Sequence, residues 1–167
     1  MINPKTTLIA LLLFSFIFQS CSSDDSPETE NKTVYIRFTI AASNYDFEDI
    51  TTGGEVRLNI EGTNGLSVSE AGHAKLVLHV PADLSEGSFP IAPGDFASDG
   101  STPLDAYKIA LNEENLGFFN DFAESGTIRI TEITTSFVEG TFNAKIPNGE
   151  GATALITNGS FRAVYIQ

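Results

Sequence analysis

A regular alternation of apolar and polar residues, which begins at Thr33, is the feature that most constrains this fold. Its first stretch, residues 34–40, reads Val-Tyr-Ile-Arg-Phe-Thr-Ile. Successive side chains of a strand point to opposite faces, so a period of two predicts a strand with one buried face. The same period returns further along the chain, in residues 55–61, 74–80, 127–133, 136–146 and 154–166. No stretch shows a convincing helical period.

Turn-forming sequences separate these stretches. Asn64-Gly65 and the run Pro-Asn-Gly-Glu-Gly at 147–151 supply residues that tolerate positive φ. Asn158-Gly159 interrupts the last stretch and predicts a break or a bulge there. With shorter strands near 88–91 and 107–111, the pattern predicts an all-β domain of roughly eight to ten antiparallel strands. It does not distinguish a sandwich from a barrel.

Residues 1–20 have a different character. Lys5 precedes an apolar run at 8–18 whose only polar member is Ser15. Such a run is shorter than the roughly 20 apolar residues that a membrane-spanning helix needs. A positive start followed by a short apolar core predicts a signal peptide that is removed from the mature protein.

The only cysteine of the chain directly follows this segment, in Phe18-Gln19-Ser20-Cys21. A small residue before Cys21 resembles the lipobox of bacterial lipoproteins, although Phe18 and Gln19 depart from its usual aliphatic and small residues. The resemblance implies cleavage before Cys21 and acylation of this residue with fatty acids such as palmitate. A single cysteine cannot form an internal disulfide, and acylation gives it a role. Two or more acyl chains would anchor the protein stably in a membrane. The alternative is an ordinary cleaved signal with a free thiol.

The segment from Ser22 to Lys32 is polar and acidic, and it predicts a disordered tether. Its start, Ser22-Ser23-Asp24-Asp25, resembles the acidic signal that sends Bacteroidota lipoproteins to the outer face of the outer membrane. A plain linker is the alternative. We therefore expect a signal peptide over 1–20, an acylated Cys21 with its tether over 21–32, and one antiparallel β-domain over 33–167.

Charge narrows the choice of partners. Without residues 1–20 the chain keeps eight basic and 22 acidic side chains, a net charge near −14. Nucleic acids attract basic surfaces, so a nucleic-acid partner is not expected. The expected membrane contact is the lipid anchor, and the remaining partner would be a protein or a glycan.

Three C-terminal motifs carry a further resemblance. They read GTIRIT at 126–131, VEGTF at 138–142 and ITNGSF at 156–161. This order resembles a set of small Bacteroidota lipoproteins of unknown function, which implies no activity and no catalytic residue. In physical terms we expect Gly140 to allow a close approach or a bulge, and Phe142 and Phe161 to fill the core.

Metal-binding chemistry is sparse in this sequence. His73 and His79 would lie about 20 Å apart on one strand, too far to share a zinc ion, and we expect both at the solvated surface. Asp46, Glu48 and Asp49 offer the oxygen ligands that calcium prefers, without the usual calcium-loop spacing. The alternative is a solvated acidic segment. No cofactor is expected.

Catalytic motifs are also missing from the sequence. There is no G-x-S-x-G element, no phosphate-binding glycine loop, and no Trp to stack on sugars. The aromatic side chains of Phe118, Phe119, Phe122 and Tyr45 are the candidate ligand surface, or else they close one end of the core.

The sequence thus predicts a membrane-anchored envelope lipoprotein that is not an enzyme and has a binding or structural role. A glycan- or small-ligand-binding module is the alternative, and it would need a concave face with exposed aromatic rings. A hydrolase would need two carboxylates that converge in a cleft.

Overall fold

The computed structural model describes residues 33–54, 57–97, 102–103 and 105–165. The predicted signal peptide and tether, with Cys21, lie outside the described residues. The chain from Thr33 onward forms one compact unit. Within the described ranges, no helix is long and apolar enough to cross a membrane.

The described residues contain eleven strands and a short 3-10 helix, Glu114–Leu116. The strands pair antiparallel in two sheets, a six-stranded sheet of order β2-β1-β11-β10-β9-β6 and a five-stranded sheet of order β3-β4-β5-β7-β8. Their bounds are β1 Tyr35–Ile40, β2 Ser43–Phe47, β3 Asp49–Gly53, β4 Arg57–Thr63, β5 Ala74–Pro81, β6 Gly87–Pro90, β7 Lys108–Glu113, β8 Phe118–Phe122, β9 Ser125–Ile133, β10 Phe137–Pro147 and β11 Thr153–Val164. The fold is therefore a β-sandwich, which resolves the predicted choice between sandwich and barrel.

The core lies between the two sheets, and the alternation seen in the sequence defines it. In β1 the side chains of Ile36, Phe38 and Ile40 are buried, while Arg37 between them is exposed. The other strands contribute apolar side chains in the same way, which include Ile60, Leu76, Leu78, Ile109, Leu111, Ile128, Ile130, Val138, Ile146, Ile156 and Phe161. The predicted inward faces of these strands are confirmed.

The chain passes directly from one sheet to the other at two places. β2 continues into β3 through Glu48, and β8 continues into β9 through residues 123–124. β2 and β3 had no strand prediction, because only Phe47 of these two strands is fully buried. Edge strands of this kind lack the apolar alternation that marks a buried face. They raise the strand count above the predicted eight to ten.

The C-terminal motifs form the centre of the six-stranded sheet. Gly140 pairs with Phe161 across β10 and β11, and Phe142 pairs with Gly159. Next to this site Asn158 has a φ of 52°, and the register of β11 shifts against both neighbouring strands. The predicted bulge at Asn158-Gly159 and the core positions of both phenylalanines are confirmed.

Candidate functional site

The residues of the predicted aromatic surface lie on two strands that belong to different sheets. Phe118, Phe119 and Phe122 lie on β8, an edge of the five-stranded sheet, whereas Tyr45 lies on β2, an edge of the other sheet. Phe118 is 3 % exposed and belongs to the core, so it cannot meet a ligand in this fold. Phe119 is 66 % exposed. The four rings therefore do not form one ligand surface.

Tyr45 is half-buried at its edge. Its ring stacks on that of Phe38, with centroids 4.7 Å apart and planes 3° from parallel. Burial, followed by the charge of Glu113, raises the pKa of the Tyr45 hydroxyl. One face of this ring is therefore used in packing against the core.

The three acidic residues proposed for calcium are not arranged around a common point. Asp46 accepts a hydrogen bond from Nε of Arg37 at 2.9 Å, and Asp49 accepts one from the Thr63 hydroxyl at 3.3 Å. Within the described ranges, no group of three His, Cys, Asp or Glu side chains is placed to hold a metal ion. Asp46 lies on β2 and Asp49 on β3, with Glu48 between the two strands, so the calcium prediction finds no support in their geometry.

Both histidines were expected at the solvated surface, and that prediction is wrong. His73 is 2 % exposed, with Nδ1 at 2.8 Å from the carbonyl of Leu66 in the loop that precedes β5. His79 lies on the outer face of the five-stranded sheet, as its position in β5 predicts, but a loop covers it. The sequence alternation indicates the face of a side chain without indicating what packs on that face.

The covered part of this outer face holds three nitrogen bases, Arg57, His79 and Lys108, which we call the basic cluster. Asn59, His79 and Lys108 are direct cross-strand neighbours on β4, β5 and β7. Nδ1 of His79 lies 2.7 Å from Oδ1 of Asn59. Three basic side chains therefore lie on one face of the sheet, in a protein with a strongly negative net charge.

Lys108 fastens the covering loop to the sheet. Its side chain is 2 % exposed, and Nζ donates hydrogen bonds to the carbonyls of Pro93, Gly94 and Asp95 at 3.0, 2.8 and 3.2 Å. An ammonium group has three N–H donors, so all of its donors are used. Burial, followed by the charge of Arg57, lowers the pKa of Lys108.

Arg57 holds the same loop further along. Nη2 donates to the carbonyls of Thr102 and Pro103, and the guanidinium lies 4.2 Å from the ring centroid of Phe96. Nη1 is buried and has no hydrogen-bond partner in the part of the chain that the structure describes. Contact with the face of an aromatic ring offsets part of the cost of burying a cation.

His79 is enclosed by two aromatic rings. The edge-on ring of Phe96 lies 5.0 Å away between centroids, and the ring of Phe122 stacks at 5.9 Å. Desolvation, followed by the charges of Arg57 and Lys108, lowers the pKa of His79 to about 4. At neutral pH the imidazole is therefore uncharged and serves as a hydrogen-bonding and packing group.

Three concave regions open onto solvent elsewhere. The largest of the three, about 760 Å³, lies at one end of the sandwich and is lined by Thr52, Gly53, Gly54, Leu58, Ala82, Asp83, Val164 and Tyr165. We call it the end cleft. A hollow of about 460 Å³ contains Glu86, and one of about 210 Å³ contains Asp46. Among the described residues, each region is therefore lined by one carboxylate.

The sequence did not predict the basic cluster, because its members come from three strands and a loop that are distant in the chain. No protein-family model matches this chain, and no curated protein and no solved structure is significantly similar to it. The sequence and the geometry of the described residues are thus the basis for an assignment of function.

Proposed function

We propose that this chain is a lipoprotein of the bacterial outer membrane, anchored through acylated Cys21, whose β-sandwich binds a partner without chemically changing it. The anchor rests on the sequence, where an export-type apolar run ends at a small residue and a lone cysteine. The binding role rests on the geometry of the sandwich. Acidic residues after Cys21 favour display on the outer face.

One observation favours binding over hydrolysis as the role of the β-domain. A hydrolase of the glycosidase type needs two carboxylates about 5 to 9.5 Å apart across the bond that it cleaves. Each of the three concave regions offers one carboxylate among the described residues, Asp83, Glu86 or Asp46. The bases of the basic cluster are already engaged by carbonyl groups and aromatic rings. These features favour recognition as the role of the domain.

A glycan-binding module is the second candidate, and the hollow near Tyr45 favours it. This hollow is lined by groups that hydrogen-bond to hydroxyls, from Arg37, Thr39, Asn44, Asp46 and Asn158. A few polar groups placed in a concave site fix the orientation of a small ligand. On a glycan microarray, Asn44→Ala should then lose the signal and exposed Ser43→Ala should keep it. Equal signals for both variants would argue against this candidate.

Cell fractionation tests the anchor. The wild-type chain should be recovered with the membrane pellet, and Cys21→Ala should appear in the soluble fraction because no acyl chain can be attached. Ser22→Ala leaves the cysteine intact and serves as the matched control. Retention of Cys21→Ala in the pellet at the wild-type level would overturn the proposal.

A further inference from the structure

Exposed apolar side chains are concentrated at one end of the sandwich. The described part of the chain has six large apolar side chains that are exposed. Two of them lie in the loop between β4 and β5, and two lie in the segment that runs from the 3-10 helix into β8. We call these four the apolar patch: Leu66, Val68, Leu116 and Phe119, with exposed fractions from 37 to 74 %. Contiguous exposed apolar surface commonly marks a site of protein interaction.

The two regions lie side by side. Gly72, in the loop that carries Leu66 and Val68, has both Leu66 Cδ1 and the Asn115 side chain within about 4 Å of the position where a Cβ would stand. Asn115 directly precedes Leu116. On the adjacent strands, Phe119 is the cross-strand neighbour of Asn112, which in turn pairs with Lys75. Local hydrogen bonds fix the backbone on both sides, from Ser67 N to Glu70 and from Leu116 N to Glu113.

The rim of the apolar patch is acidic. Glu70 lies in the first loop, Glu114 precedes Leu116, and Asp121 accepts a hydrogen bond from the backbone N–H of Phe119. The nearby base Lys75 is paired with Glu61, with Nζ 3.6 Å from the carboxylate. An apolar surface with a negatively charged rim is complementary to an apolar surface with a positively charged rim.

The apolar patch and the start of β1 lie at opposite ends of the sandwich. Asn148, in the turn between β10 and β11, donates a hydrogen bond to the carbonyl of Gly117, so the patch lies at that end of the six-stranded sheet. β1 begins at Tyr35, opposite Arg162, about 30 Å further along β11. β1 therefore begins at the end of the sandwich opposite the apolar patch.

From this geometry we infer that the apolar patch docks a protein segment that presents apolar side chains flanked by Lys or Arg. The inference rests on the binding role proposed above and names the class of partner. A second copy of this chain would bring the same carboxylates together, and anionic lipid would be repelled by them. The charge of the rim therefore selects a basic polypeptide.

Fluorescence anisotropy with a labelled amphipathic peptide of leucine and lysine tests this inference. The full chain is purified in mild detergent from whichever cell fraction holds it, so that a failure of the lipid anchor is scored separately. Val68→Ser and Phe119→Ser should each weaken binding about tenfold or more, as expected for apolar anchors at the centre of an interface. Leu155→Ser is the matched control. Leu155 is an apolar side chain of the other sheet that is 56 % exposed, and this variant should bind like the wild type.

Three results would overturn the inference. The first is equal binding by all variants. The second is equal affinity of the wild type for the corresponding leucine–glutamate peptide, since the acidic rim would then select nothing. The third is dimerisation of the wild type that Phe119→Ser abolishes, because the apolar patch would then belong to a second copy. Unchanged circular dichroism spectra of the variants establish that each outcome reports on folded protein.

Discussion

The ring of Phe161 covers Gly140 on the neighbouring strand of the six-stranded sheet. A Cβ at Gly140 would lie 2.6 Å from Cε1 of Phe161 and 2.3 Å from the carbonyl oxygen of Arg129. The same arrangement occurs two pairs further along, with the strands reversed, where the ring of Phe142 on β10 covers Gly159 on β11. An aromatic ring that lies over a strand glycine fills the space of the missing side chain and fixes the register of the pair.

Gly140→Ala should therefore destabilise the domain. Because the backbone of β9 limits how far the site can relax, we expect a loss of about 1 to 3 kcal/mol in the free energy of unfolding, as for other overpacked cores. Urea unfolding monitored by circular dichroism measures it. Gly53→Ala is the control, since no atom lies within 4 Å of its Cβ position. Equal stability of the two variants would contradict the packing described for Gly140.

Lys108→Met should loosen the loop over the basic cluster. Methionine keeps the apolar stem but removes three hydrogen bonds from Nζ to loop carbonyls. Hydrogen bonds to charged groups contribute about 1.5 to 3 kcal/mol each, so loss of the set should speed amide exchange at Ala92 and Gly94 about tenfold or more. Lys145→Met removes an exposed lysine paired with Glu124 and should leave these amides unchanged.

The half-buried His79 should make stability fall with acid. Its folded pKa is about 4, below the ordinary value of 6.5, so the unfolded chain binds more protons between these values. The contribution of His79 is complete above about pH 6.5 and is lost as the pH falls towards 4, with an upper bound of about 3 kcal/mol. The free energy of unfolding in urea is measured for the wild type and for His79→Gln at pH 7 and at pH 4.5. Because both proteins have the same carboxylates, the difference between them isolates the contribution of His79. A His79 resonance that titrates near pH 6.5 by NMR would refute the account of this site.

Asp24 and Asp25 should govern display on the cell surface. If they act as a sorting signal, replacing both with Ala should lower digestion of the protein by protease added to intact cells. Glu28→Ala with Glu30→Ala removes the same charge from the same segment and is the matched control. Equal digestion of both double variants would assign Asp24 and Asp25 to a linker.

The fold could be predicted where one strand face is buried and the other is solvated. β1, β10 and β11 satisfy this condition, and the bulge at Asn158-Gly159 follows from its two residues. β2 and β3 were not predicted, because they are edge strands with little buried surface. The choice of sandwich over barrel depends on long-range pairing, which a local period does not encode.

The candidate sites were harder to predict for a related reason. His79 and Phe96 are 17 positions apart, and their contact exists because the loop folds back over the sheet. The alternation correctly placed His79 on the outer face of the sheet. It did not indicate that a loop packs over this face. For the same reason the aromatic residues of β8 looked like one surface, whereas Phe118, Phe119 and Phe122 have separate environments: the core, the apolar patch and the basic cluster.

Mass spectrometry of the N-terminus of the processed protein tests the central claim most directly. Protein taken from the membrane fraction is digested, and the most N-terminal peptide is sequenced and weighed. We expect this peptide to begin at Cys21 and to carry the added mass of a diacylglyceryl group and an amide-linked fatty acid. A peptide that begins at another residue, or that contains Cys21 as a free thiol, would contradict the lipid anchor on which the proposed function depends.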